Sequence, residues 1–96
     1  MPLRLVCLDG HAVIALDRAS VVVGRHRWCD VRIASPRVSR RHCRLSPGRD
    51  AVLVRDLGST NGTRINGQRV EEGVLRPGDE LAIAHCRYQL QGLSEC

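Results

Sequence analysis

A chain of 96 residues is long enough for one core and too short for two, because folded domains run from about 50 to about 200 residues. Its 43% hydrophobic and 26% charged content is ordinary for a soluble globular domain and argues against disorder. A net charge of +5 predicts an anionic partner, and all fifteen basic residues are arginine, whose planar fork captures phosphate or carboxylate bidentately.

The first two apolar runs, LRLVCL over 3–8 and HAVIAL over 11–16, flank Asp9-Gly10, a dipeptide suited to a two-residue type I′ turn, so the chain is expected to begin with a hairpin. SVVVG over 20–24 reads as a short buried strand that ends where Gly24 frees the backbone. VRI at 31–33 alternates, and Ser35-Pro36 then imposes extension or a turn. From Arg41 to Ser46 a period of two puts Cys43 and Leu45 on one face and His42 and Arg44 on the other. Pro47-Gly48-Arg49-Asp50 makes a turn before the strand AVLVRDL over 51–57. After the polar segment around Asn61, RIN and QRV meet at Asn66-Gly67, a second hairpin signal. Pro77-Gly78-Asp79 turns the chain into ELAIA, and RYQLQ, with Tyr88 and Leu90 on one face, closes the domain.

Apolar residues nowhere hold helical spacing for three turns, and the nine glycines are expected between strands or at their ends. About ten short strands separated by turn signals predict an all-β, antiparallel sandwich whose loops gather at two ends. Trp28 and Tyr88 are the only aromatics, so Val, Leu, Ile and Ala must build the core. Residues Gly92 to Cys96 carry no strand pattern. The five cysteines are odd in number and form no C-x-x-C pair; they read as free thiols, and neither they nor the histidines suggest a metal or a redox couple. No segment has the length of a membrane span or the pattern of a signal peptide, which fits a reducing cytoplasm.

Function is concentrated between Pro36 and Thr63. Two turn-rich segments there, PRVSRRH and DLGSTNGT, are joined by two strands; if those strands pair, both loops emerge at one end of a sheet. Gly24-Arg25 can bring a third loop beside them. Seven arginines fall between Arg25 and Arg44. Arg25, rooted at the end of an apolar strand, is the candidate main clamp for a phosphomonoester. Ser39 can add a hydroxyl, Arg40 a second charge, and Thr60-Asn61-Gly62 a hydroxyl and a carboxamide on a tight turn. The Ser39/His42 pair invites a hydrolase, but no G-x-S-x-G elbow surrounds it; a packed histidine bonded to the loop backbone is the expectation.

In order and spacing, GR at Gly24-Arg25, S-x-x-H from Ser39 to His42, DLGSTNGT from Asp56 to Thr63, NG at Asn66-Gly67 and the LRPGDEL turn resemble the forkhead-associated (FHA) domain. The resemblance covers the first strand to the last. It implies an eleven-stranded sandwich over residues 1–92, with 93–96 as a C-terminal tail, that binds phosphothreonine peptides and catalyses nothing. By that resemblance Arg25, Ser39, Arg40 and Thr60 contact the phosphate, and Asn61 bonds the peptide backbone. Gly24, His42, Gly62, Asn66 and Gly67 shape the site. The implied partner is a phosphothreonine-bearing protein, a serine/threonine kinase or its substrate, met by a monomer without cofactor or metal. Ala84 departs from the family pattern where glycine is common. Two other functions remain open: an FHA fold on an unphosphorylated partner, and arginine-mediated binding of nucleic acid, for which two aromatics provide no stacking platform.

Overall fold

A computed structural model describes residues 3–92. Eleven strands form two sheets. One carries β1 (Leu3–Cys7), β2 (Val13–Leu16), β7 (Thr63–Ile65), β8 (Gln68–Arg69), β10 (Glu80–Ile83) and β11 (Cys86–Gly92) in the order β2-β1-β11-β10-β7-β8. The other runs β4-β3-β5-β6-β9, from β3 (Val21–Gly24), β4 (Val31–Arg32), β5 (Cys43–Pro47), β6 (Val52–Asp56) and β9 (Glu72–Leu75).

Alternation decides which face each strand buries. Leu3 and Leu5 are buried while Arg4 is exposed, and Val52 and Val54 are buried while Leu53 and Arg55 face out. These side chains meet Val21, Val23, Leu45, Leu75, Leu81, Ile83 and Leu90 in one core between the sheets. Each buried Val, Leu or Ile contributes about 1.5–3 kcal/mol relative to exposure. Val38, from the loop before β5, also reaches the core at 1% exposure, which anchors that loop from below. Cys7, Cys29, Cys43 and Cys86 are free thiols; burial, with the nearby Asp56 charge and Cys29, pushes the Cys43 thiol up to about 12. Cys96, like the rest of the expected tail, lies outside the described residues.

The structure corrects several expectations. The strands are not all antiparallel: β3 and β4 run parallel, Val23 opposite Val31 and Gly24 opposite Arg32. The intervening loop doubles back along β3, where the Asp30 carboxylate accepts the Val22 N–H at 2.8 Å. Asp9-Gly10 does not form a type I′ turn, since neither residue has positive φ and the Cys7 N–H donates to the Ala12 carbonyl across a four-residue loop. Asn66-Gly67 does form one, with φ of 51° and 83° between the paired Ile65 and Gln68. Strand β9 has no counterpart among the expected strands, and it places Gly73 inside a strand rather than beside one. There a Cβ would press on the Ile65 side chain at 2.9 Å. Gly92 is not past the last strand but ends it, opposite Leu3. His42 is not on the open face with Arg44. It precedes β5 and turns inward, fully buried.

Candidate functional site

Strand pairing settles where the loops go. β5 pairs with β3 on one side and β6 on the other, with Cys43 opposite both Val23 and Asp56. The loops that follow β3, precede β5 and follow β6 therefore emerge together. Sheet order sets their sequence across the rim: the β3–β4 loop, then Ser39 and Arg40, then Thr60 and Asn61.

Ser39 is where the three loops meet. Its carbonyl accepts the Arg25 N–H at 2.9 Å, and its Oγ accepts the Thr60 N–H at 3.1 Å. With that lone pair used, the hydroxyl proton is free to donate outward. Arg40 is tied in the same way, because its carbonyl accepts the His26 N–H at 3.1 Å and the Cys29 thiol at 3.0 Å. Gly24 is required there, since a Cβ would collide with the Arg40 carbonyl. Asn61 spans to the neighbouring loop, its Nδ2 donating to the Arg37 carbonyl at 2.7 Å and its carboxamide oxygen left as an acceptor.

Beneath the rim, His42 joins two loops. Its Nδ1 accepts the Ser39 N–H at 3.1 Å and its Nε2 donates to the Gly62 carbonyl at 2.8 Å, a pattern that requires the neutral Nε2–H tautomer. Both ring nitrogens are thus engaged with backbone, as expected of a packed histidine and not of a general base. The Gly62 carbonyl also accepts the Ala84 N–H at 3.2 Å, which draws in the β10–β11 turn. Ala84 sits at φ 55°, the left-handed conformation glycine adopts more easily, so its departure from the family pattern leaves the turn's shape intact. Gly62, at φ 87°, lies against Arg69, where a Cβ would approach Nε at 2.8 Å.

A second, half-buried hub organises DLGSTNGT. One oxygen of Asp56 accepts the Gly58 and Ser59 N–H groups at 3.0 and 2.9 Å. The other accepts the Ser59 hydroxyl and the Thr63 hydroxyl, the latter at 2.7 Å. Ser59 Oγ in turn accepts the Gly62 N–H at 3.0 Å. Burial pushes the Asp56 carboxyl up, but the Ser59 and Thr63 hydroxyls and the Ser59 and Gly58 amides outweigh it and hold the group below its ordinary 3.8. Asp56, Ser59 and Thr63 carry no individual role in the sequence beyond their place in DLGSTNGT. The available signal was an Asp followed three residues later by Ser, which favours a side-chain-closed turn.

Of the residues singled out in the sequence, Arg25, Ser39, Arg40, Thr60 and Asn61 lie on one rim, with Gly24, His42 and Gly62 directly beneath. Asn66 and Gly67 lie elsewhere. They turn the chain at the far end of β7, where the Asn66 amide and side-chain oxygen pair with Glu80 backbone groups at 2.8 and 2.9 Å. Their link to the rim is indirect, through the hairpin that returns Arg69 to Gly62.

Arg25 and Arg40, with His26 and Arg27, line an open depression of about 460 Å³. Among the described residues the ion pairs are Arg18–Asp30, Arg87–Asp9 and Arg87–Glu80, so the charges of Arg25 and Arg40 are not spent on a neighbouring carboxylate. Two guanidinium groups lining one depression, with an available hydroxyl on the residue that precedes Arg40 in a loop fixed by backbone bonds, suit capture of a compact anion. Among the described residues no cluster of His, Cys, Asp and Glu could hold a metal ion.

Comparison with known proteins agrees with the fold. The family model of the FHA domain matches residues 21–84. The glycogen accumulation regulator GarA of Mycobacterium tuberculosis is 39% identical over 72 residues, which cover 75% of this chain and 44% of GarA. The proliferation marker protein Ki-67 of Mus musculus is 38% identical over 76 residues, 78% of this chain and 2% of Ki-67. The chain thus spans less than half of either relative. A structure solved in work on phosphothreonine-dependent FHA domain interactions superimposes with a TM-score of 0.90 at 29% identity, covering 98% of this chain and 99% of that one. With its eleven strands, its three-loop rim and these matches, the chain belongs to the FHA domain family.

Proposed function

We propose that the rim binds a phosphothreonine side chain presented by an extended peptide and that the chain acts as an interaction module, not an enzyme. The observation that carries this is the environment of Ser39: the residue before Arg40 fixes the Arg25 backbone through its carbonyl, receives the Thr60 amide on its hydroxyl oxygen and keeps the hydroxyl proton to donate. Arg25, Ser39, Arg40 and Thr60 hold the phosphate, and Asn61 bonds the peptide backbone with the donor and acceptor capacity its Arg37 contact leaves. Gly24, His42 and Gly62 keep the three loops in register. The partner is a serine/threonine kinase or its substrate in the cytoplasm, met by a monomer.

Hydrogen bonds to charged groups are worth about 1.5–3 kcal/mol each, and a few of them, less the cost of ordering a flexible peptide, give affinity in the micromolar range. Calorimetry with a phosphothreonine peptide tests the assignment. R25A, at an exposed position, is expected to fold normally and lose detectable binding; unchanged affinity would overturn the site. Affinity is also expected to fall as pH drops through about 6, where the phosphate loses its second charge.

A further inference from the structure

A second depression of about 370 Å³ adjoins the first, sharing His26 and Arg40 as walls. Val22 and Cys29, both partly buried, lie at its base, and Trp28 and Arg41 complete its sides. Its volume falls near the lower end of the roughly 300–1,000 Å³ usual for ligand pockets. Trp28 is 78% exposed, a large aromatic surface left in water on a domain that has only two aromatic residues. Tryptophan, with tyrosine and arginine, is enriched among the residues that carry binding energy once a partner covers them.

The loop that presents Trp28 is held rather than loose. Its backbone N–H donates to His26 Nδ1 at 3.1 Å, and the Cys29 N–H donates to the His26 carbonyl at 3.0 Å. Arg27 stacks over the indole at 5.7 Å from its centroid. Asp30, the one acid in the lining, is engaged by Arg18 at 3.0 Å and by the Val22 amide at 2.8 Å, so it does not repel an acidic peptide. An occupant of this groove therefore meets a surface that is already ordered.

Resting on the phosphothreonine assignment above, we propose that this groove is a selectivity subsite for a bulky apolar side chain of the same peptide. The shared walls place that residue next to the phosphothreonine in an extended chain. The order of loops across the rim places it on the side away from Asn61. Val22, the indole and the arginine stems supply the apolar contact, and the guanidinium groups of Arg40 and Arg41 favour acidic neighbours around it.

The test uses an alanine-flanked phosphothreonine peptide with one leucine walked from three residues before the phosphothreonine to three after it. Trp28 is the only tryptophan, so its emission reports the groove directly. Leucine at one or two positions on a single side is expected to tighten binding about tenfold, roughly half of what complete burial of that side chain would give, and to shift Trp28 emission to the blue. In W28A the ratio between leucine and alanine peptides is expected to fall below about twofold, and W28F should retain most of it. If the phosphopeptides bind but leucine changes neither affinity nor emission, or if the preference survives in W28A, the subsite is refuted and the phosphate site stands. If no phosphopeptide binds while its fold is intact, both are refuted.

Discussion

Replacing Asp56 by asparagine keeps the shape of the side chain and removes its charge. The two backbone amides that reach Asp56 can only donate, whereas the Ser59 and Thr63 hydroxyls can rotate and accept. D56N should therefore turn its oxygen to the amides and its NH2 to the hydroxyls, preserving every contact in neutral form. What is lost is the strengthening by charge, about 1 kcal/mol per bond. Four bonds would give about 4 kcal/mol, and partial exposure reduces this to about 2–3 kcal/mol. In a domain of this size that corresponds to a fall in melting temperature of about 10–20 °C at pH 7. Because the folded carboxyl is held below 3.8, its contribution is complete above the unfolded value and disappears as pH falls through the folded one. The difference in melting temperature between the natural chain and D56N should thus be constant from pH 7 to about 5 and close below about 4. All other carboxylates are common to both proteins and cancel in the difference. Calorimetric scans of the pair across this range make the measurement. A gap that does not narrow between pH 5 and pH 2, or one below about 0.5 kcal/mol at pH 7, would show that the carboxylate's charge does not organise the loop.

H42A removes both bridges of the buried imidazole and leaves the Ser39 amide without its partner; with the cavity added, a loss of about 3–5 kcal/mol is expected by urea unfolding, and phosphopeptide affinity should weaken because Ser39 loses its support. At Asn66, two costs separate: N66A gives up the side-chain bond to Glu80 and places a Cβ residue without local compensation at φ 51°, about 2 kcal/mol together. N66G keeps the turn and loses only the bond, so it should cost about 1 kcal/mol. Equal values for the two, by the same unfolding assay, would mean that the turn's backbone conformation carries no cost. Neither Asn66 variant should alter phosphopeptide affinity more than about twofold, since the turn lies at the far end of β7.

The strands legible in the sequence were those whose alternation matches one buried face: Leu3 and Leu5, Val52 and Val54, Tyr88 and Leu90. β9 was illegible because its pattern begins with Glu72 and Gly73 and exposes Val74; only its position beside β6, with Leu53 opposite Val74, makes it a strand. The parallel β3–β4 pair was hidden for a different reason, since the alternation over 31–33 marks a strand but not its direction, and the return of the chain depends on Asp30 finding the Val22 amide. Asp9-Gly10 and Asn66-Gly67 look alike as dipeptides and differ in structure. Asn66 is held in its conformation by Glu80, across the sheet, whereas Asp9 pairs with Arg87 at 3.1 Å over a wider loop.

The exposed half of the site could be found from residue type and order, because arginine, serine and asparagine on turn-rich segments advertise their chemistry. Of the supporting half only His42 could be read, as a packed histidine bonded to loop backbone; its particular partners, and the whole role of half-buried Asp56, could not. His42 and Asp56 act through backbone partners supplied by residues as distant as Gly62, and sequence spacing does not say which amide faces which acceptor. Yet these two hubs are what make weak surface groups usable. Ser39 by itself is a turn residue, and Arg25 by itself a solvated cation; ordering each on a mobile loop would consume much of the energy a phosphate contact returns. His42 fixes the amide of Ser39, and Asp56 closes the loop that delivers the Thr60 amide to the Ser39 hydroxyl. The ordering cost is thereby met in folding, and binding need supply only the contacts. That division predicts that losses at Asp56 and His42 register first in stability and then in affinity, while losses at Arg25 register in affinity alone.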